Sequence, residues 1–275
     1  MPASLCGLFG IPVALWFYQW GVSEFRVTIT SGGIMMERKI DRKIKTGKTA
    51  VKRRQFLFSA IIVVLLAVAA CCAYRLRYFF IGTSSAPVEA KENADFGIPD
   101  YHSSVDMDGD GIDDQTDILQ GARDYIATGP VYKSKYYATG YPDDQYGVCT
   151  DVVANAMKAA GYDLMELVDE DILAEPQVYG IEEPDVNIDF RRVQNLKVYF
   201  GRNAISLTTD IHDISEWQGG DIVIFENHIG IVSDKRNDNG VSYVIHHNDP
   251  FQESYEEDLL EKRDDIVGHY RIDGL

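Results

Sequence analysis

The sequence predicts an α+β domain, with helices first and an antiparallel sheet after them, behind a single transmembrane helix. Three patterns carry that expectation. Twenty uncharged residues, QFLFSAIIVVLLAVAACCAY, lie between Arg54 and Arg75, about the length a helix needs to cross a ~30 Å hydrocarbon core. Between residues 116 and 204 apolar residues recur at helical spacing. From Trp217 onward that period gives way to short β-branched runs separated by turn residues. Helices and strands segregated along the chain in this way build an α+β domain.

The apolar run at 55–74 has a one-sided flank. MERKIDRKIKTGKTAVKRR, just before it, carries nine basic residues, whereas only Arg75 and Arg77 follow closely. The positive-inside bias therefore places residues 36–54 in the cytoplasm and the C-terminal region outside the cell. A cleaved signal peptide is the alternative, but the run exceeds the usual apolar core of one. A third reading takes VAAC, ending at Cys71, as a lipidation signal that would make Cys71 the mature N-terminus. Residues 1–23 hold no charge and are interrupted by Pro12 and several glycines. GGIMM is compatible with a ribosome-binding sequence ahead of Met35 or Met36, so residues 1–35 are expected to lie upstream of the true start, with a second membrane helix as the alternative.

Charge divides the chain as well. Through Arg77 there are 12 Lys and Arg against 3 Asp and Glu; beyond it there are 14 against 40. So acidic an outer region is a poor match for nucleic acid or anionic lipid. Residues 78–105, polar and rich in small side chains, read as a tether, leaving 106–275 as the extracellular domain.

Within that domain TDILQGARDYI sets Ile118, Ala122, Tyr125 and Ile126 on one helical face, and Val152, Val153, Ala156, Met157 and Ala160 form a second stripe ended by Gly161. DLMELVDEDIL and RRVQNLKVYFGRNA continue the helical pattern. GDIVIF, HIGIVSD and VSYVIHH read as strands, with RNDNG as a hairpin connection. SYEEDLLEKRDD, residues 254–265, reads as a solvated helix or loop with Leu259 and Leu260 turned inward.

DMDGDGIDDQTD, residues 106–117, carries a metal-loop spacing. Asp106, Asp108, Asp110, Asp114 and Asp117 occupy loop positions 1, 3, 5, 9 and 12, Gly111 makes the sharp turn, and Ile112 offers its backbone carbonyl. The loop resembles an isolated EF-hand-like or thrombospondin type 3 calcium loop. It departs from paired EF-hands in Asp113 at position 8 and in Asp117 where Glu is usual. A single structural calcium is expected.

Cys149 opens the second helix, where unpaired N–H groups and the helix dipole favour an anion, so it is expected to be held partly as thiolate. His228 starts one strand and His246 lies near the end of the next. A cysteine followed by a histidine and then an orienting polar residue is the papain-like order. Strand alternation sends His246 and His247 to opposite faces, so at most one joins the site.

YPDDQYGVCTDVV, PDVNIDFRRVQNLKVYF, WQGGDIVIF, HIGIVSDKR, VIHHN and GHYRI together resemble the bacterial family called domain of unknown function 1287. More remotely, GVCTDVV, GGDIVIF, HIGIV and VIHH resemble NlpC-type cysteine peptidases of the papain-like fold, which cut amide bonds in cell-wall peptides. That second resemblance implies Cys149 as nucleophile, His228 as base, His246 as the third residue and Tyr137 near the oxyanion; VCTD stands where that family has DCSG. Arg191 and Arg192 are further candidates, able to bind a substrate carboxylate or to form structural ion pairs. The expected function is a membrane-anchored cysteine hydrolase acting on peptidoglycan or another amide, without organic cofactor. A calcium-stabilised binding module and a thiol acyltransferase are the alternatives.

Overall fold

The computed structural model describes residues 55–74, 77–78 and 81–275, so the expected start at Met35 or Met36 and the basic segment 36–54 lie outside the described residues. The chain divides at Leu76 into two units. In the first, α1 (Gln55–Tyr74) is an uninterrupted helix of mean hydropathy 2.9, long and apolar enough to cross a membrane.

The second unit begins with its helices: α2 (Asp114–Ala127), α3 (Cys149–Ala159), α4 (Leu164–Ala174) and α5 (Val193–Asn203). Their ends follow from local chemistry. Asp113 caps α2 by accepting from Thr116 N–H, and Asp163 caps α4 through Met165 N–H. Gly161, at φ +84°, ends α3 in a left-handed turn that other residues rarely adopt. The stripe read from the sequence is the buried face of α3, with Val152, Val153, Ala156 and Met157 all at 0% exposure. α2 lies directly on it because Gly121 has no side chain; a Cβ there would sit 2.4 Å from Ala159 Cβ.

A short parallel pair, β1 (Val131–Tyr132) and β2 (Tyr146–Gly147), joins α2 to α3. The main sheet follows: β3 (Ile205–Ser206), β4 (Ile222–Phe225), β5 (Ile229–Arg236), β6 (Ser242–Ile245), β7 (Glu256–Glu257) and β8 (Ile266–Arg271). Its order is β3-β8-β4-β5-β6-β7, antiparallel throughout. Alternation along the strands splits the core in two. Ile222, Ile224, Ile229, Ile231 and Ile245 pack with the helices. Val223, Phe225, Val232 and Val244 face the other way, under Trp217, Leu259 and Leu260. The helices-then-sheet α+β order is thus the order observed.

Asp221, fully buried at the start of β4, joins the layers. Its carboxylate accepts from Gln115 of α2 (2.9 Å), Gln218 N–H (2.8 Å), His269 (3.0 Å) and both Nε and Nη2 of Arg271 (2.7 and 2.8 Å). His269 is in turn stacked on Trp217 at 3.7 Å between ring centroids.

The segment read as a tether is built into the domain: Tyr78 bonds Asp264 and lies under the Arg263 guanidinium, and the chain joins the sheet edge from residue 84 on. Ser85 bridges to Glu257 and Lys91 to Arg236 as added β-ladder steps. Asn93 is buried, accepts from Arg236 Nε (2.6 Å) and donates to Asp100 and Gln218. Small polar residues pair through their backbones as readily as any others, so polarity alone did not distinguish a docked strand from a linker.

Arg236 is itself 1% exposed, so replacing its acceptor leaves a buried charged donor unmatched. Asn93→Leu is expected to cost about 2–3 kcal/mol, read as a lower melting temperature by circular dichroism. An unchanged melt would mean that 81–105 contributes nothing to the fold.

Candidate active site and acidic loop

β2 delivers the chain into α3, so that Cys149 is the first helical residue. Val148 N–H donates to Asp151 Oδ2 (2.8 Å) and Asp151 N–H returns to the Val148 carbonyl (3.0 Å), which closes the helix start. The backbone N–H of Ile229, at the head of β5, lies near enough to the Cys149 sulfur to favour its charged form. Burial pushes the thiol up to about 11, and the Asp151 charge adds to it; the Ile229 and Thr150 amides act in the opposite direction without reversing it. Cys149 therefore rests as a neutral thiol, contrary to the thiolate expected from helix placement alone. Desolvation outweighs the helix terminus here.

His228 and His246 meet across β5 and β6. His228 Nε2 stands 3.1 Å from His246 Nδ1, with the rings at 88°. His246, at 0% exposure, places its Nε2 3.2 Å from Glu257 Oε2 of β7. Gly230 makes this crossing possible: a Cβ there would lie 2.6 Å from Val244 and 2.8 Å from the Ile245 carbonyl. Burial holds His228 well below the usual imidazole range, and the nearby His246, Arg263 and His247 reinforce the shift. No direct hydrogen bond joins Cys149 to His228 among the described residues. His247 takes a separate place, edge-on to Tyr132 and to Tyr255, each 5.2 Å between centroids.

The other candidates divide. Arg191 is clamped to the fully buried Asp151 by two bonds of 2.6 and 2.8 Å and donates to the Lys135 carbonyl (2.7 Å). It is the structural ion pair of the two. Arg192 is exposed and rests on Asp189 at 3.3 Å. Tyr137 is buried under the Arg191 guanidinium and commits its hydroxyl to Asp144 (2.7 Å).

In the acidic loop Asp106, Asp108 and Asp110 bring carboxylate oxygens within 4.8 Å of one another. Asp106 also accepts from Gly109, Asp110 and Gly111 N–H, and Ile112 N–H donates to Asp110. Asp117 is 8% exposed with its Oδ2 unpartnered. Burial first, and then Asp110, Asp108 and Asp106, push its carboxyl up to about 6. Asp114 differs from the spacing-based expectation. It is fully buried and braces the loop from within, accepting from Met107 N–H (2.8 Å) and the Tyr162 hydroxyl (2.5 Å). As the first residue of α2 it faces the core contact with α3's C-terminal turn, which periodicity within the loop did not show.

Sequence reasoning missed Glu257 and Asp151. Glu257 sits in a run of acids that reads as solvated, and Asp151 owes its burial to an arginine 40 residues away.

An α+β domain with a cysteine at a helix start beside a buried histidine pair is the class these observations define. The chain belongs to the family described as Domain of unknown function (DUF1287), whose profile matches residues 119–272. It is 38% identical over 167 residues to "Uncharacterized protein YijF" of Escherichia coli (strain K12), a match that covers 56% of this chain and 80% of that protein. No solved structure matches the chain significantly.

Two outcomes follow from this geometry. Arg191→Met, which strands a buried carboxylate, is expected to cost about 3–5 kcal/mol, whereas Arg192→Met costs less than about 1 kcal/mol; equal chemical-denaturation midpoints would contradict the assignment. Burial also holds His247 down at about 4 against an ordinary 6.5. Its folded affinity for protons is below the unfolded one, so the stability it contributes is present above about 6.5 and is lost as pH falls towards 4. His247→Phe should therefore lose less melting temperature than the wild type between neutral pH and pH about 4. An equal loss would place the acid-sensitive group elsewhere.

Proposed function

We propose that this chain is a membrane-anchored, papain-like cysteine hydrolase that cleaves amide bonds, with cell-wall peptide as its substrate class. The observation that carries this reading is the row His228, His246, Glu257, set at the head of the strand whose first amide acts on the Cys149 thiol. Buried polar side chains aligned in this way cost desolvation that a purely structural site has little reason to bear.

Because thiol and imidazole both rest neutral, the base acts during attack and not before it. His228 takes the thiol proton as sulfur bonds to the substrate carbonyl carbon, and the proton then passes to the departing amine. Water, deprotonated by the same imidazole, cleaves the thioester and restores the thiol. The Ile229 N–H steadies the charge on sulfur. The missing Cys149–His228 hydrogen bond is compatible with this, since such contacts commonly tighten only with substrate bound. An amine in place of water would make the same residues an acyltransferase. Tyr137, with its hydroxyl held by Asp144, serves in this reading as the wall behind Arg191.

Calcium fits the acidic loop in the same proposal. Asp106, Asp108, Asp110 and Asp117 with the Ile112 carbonyl would hold it, and Asp114 would not. The support is the unpartnered, buried Asp117 oxygen beside three crowded carboxylates. The ion would supply charge balance that lets this corner of α2 close.

A binding module without catalysis is the second reading, favoured by the neutral thiol. The two separate cleanly. Full-length protein in detergent, incubated with peptidoglycan fragments, should yield products heavier by one water in sum, and Cys149→Ala should reduce the rate more than about a thousandfold at unchanged melting temperature. Fragment binding without cleavage by the wild type would establish the module instead. Calcium should raise the melting temperature, EDTA should reverse the rise, and Asp117→Asn should shrink it; melts indifferent to calcium remove the metal.

A further inference from the structure

We propose that Glu257 is a positioning residue: acting through His246, it decides which nitrogen of His228 carries the proton, and the segment 84–86, bridged to it at Ser85, holds it there. The inference rests on the reading of Cys149 and His228 as nucleophile and base.

The argument is one of donors and acceptors. An ionised carboxylate only accepts, so His246 Nε2, 3.2 Å from Glu257, carries a hydrogen. In a neutral ring the other nitrogen then accepts, and His246 Nδ1 faces His228 Nε2 at 3.1 Å. His228 Nε2 must donate. That leaves its Nδ1 with a free lone pair, which a general base requires. The opposite pattern would put the hydrogen on Nδ1 of both rings and leave His228 unable to accept from a thiol.

Gln252 shows what would drive that opposite pattern. Its side-chain carbonyl accepts from Asn248 N–H (2.6 Å), which fixes the amide with its N–H group towards His246. That group donates to the His246 carbonyl (3.3 Å) and lies 3.5 Å from His246 Nε2. With Glu257 gone, the Gln252 NH2 group is the neighbour left to approach Nε2, and that group can only donate. The rings would then swap protons in concert. Beyond this pair, His228 also faces His247 and Arg263.

Glu257 is held from both sides. β6 pairs Val244 with it, and Ser85 bridges to it on the outer side. Ala86 N–H donates to the Glu256 carbonyl (2.8 Å), Asp258 N–H to the Ser84 carbonyl (3.0 Å), and Ser84 N–H to the Asp258 carboxylate (2.6 Å). A cavity of about 520 Å³ opens beside the pair, lined by His246, Glu257 and Gln252 and walled by Ile81, Thr83 and Ser85. A two-residue strand would have little to hold it to register without that outer partner.

The test uses full-length protein in detergent micelles with nitrogen-15 histidine, its six rings assigned by single substitutions. Long-range proton–nitrogen spectra near neutral pH should show His228 and His246 both carrying hydrogen on Nε2. In Glu257→Leu both should switch to Nδ1, and in Ala86→Pro, which lacks the N–H to Glu256, a mixture should appear. Glu257→Gln, whose carbonyl can still accept, should keep the wild-type pattern and supplies the comparison if the leucine variant does not fold. Substrate turnover should fall at least about tenfold in Glu257→Leu and recover in Glu257→Gln. Hydrogen on Nδ1 of His246 in the wild type, or an unchanged pattern in folded Glu257→Leu, overturns the proposal. The spectra do not depend on catalysis: absent turnover in every sample would sink the hydrolase reading while the tautomers still decide this one.

Discussion

A single buried carboxylate organises this domain. Removing Asp221 from water is costly, and the cost is offset only if donors converge on it from several directions at once. They come from α2 through Gln115, from the turn before β4 through Gln218, and from β8 through His269 and Arg271. Satisfying that one group therefore fixes the angle between α2 and the sheet. It also fixes the start of β4, and through the β4–β5 pairing of Ile224 with Ile229 it fixes where His228 enters the site. Packing fills the space that this polar knot defines.

Electrostatics at the site are governed by exclusion of water more than by the helix dipole. Cys149 has the helix start and two amides in its favour and is still held protonated, while His228 is held neutral. Both shifts share one cause, burial, and each group prefers its uncharged form. Such a pair is stable towards stray alkylation and oxidation, because the reactive thiolate is scarce at rest.

Much of this was legible in the sequence because it was written in periodicity. Twenty uncharged residues, the stripe from Val152 to Ala160 and the runs GDIVIF and HIGIVSD each carry their own spacing, and each forms the predicted element. Cys149, His228 and His246 were singled out by residue type and order, and the fold brings the two histidines together. What escaped was set by contacts between distant segments. Glu257 looks solvated until His246 is seen beside it, Asp114 looks like a metal ligand until Tyr162 is seen to claim it, and the polar stretch from Ser84 looks like a linker until β7 pairs with it. The neutral state of the thiol belongs to the same class, since burial is a property of the fold.

The docked segment at 84–86 has a mechanical consequence. Tension entering the domain from its N-terminal side meets Arg77 and Tyr78, held by Asp264 and Arg263, and then Ser84, Ser85 and Ala86, whose bonds to β7 and Asp258 are few and lie at the sheet's edge. Pulled away from the edge, these bonds break in succession and not all together, so this seam yields before the α2–α3 core does. A load on the chain ahead of Ser84 would thus be felt at the strand bearing Glu257 while the rest of the domain stayed folded.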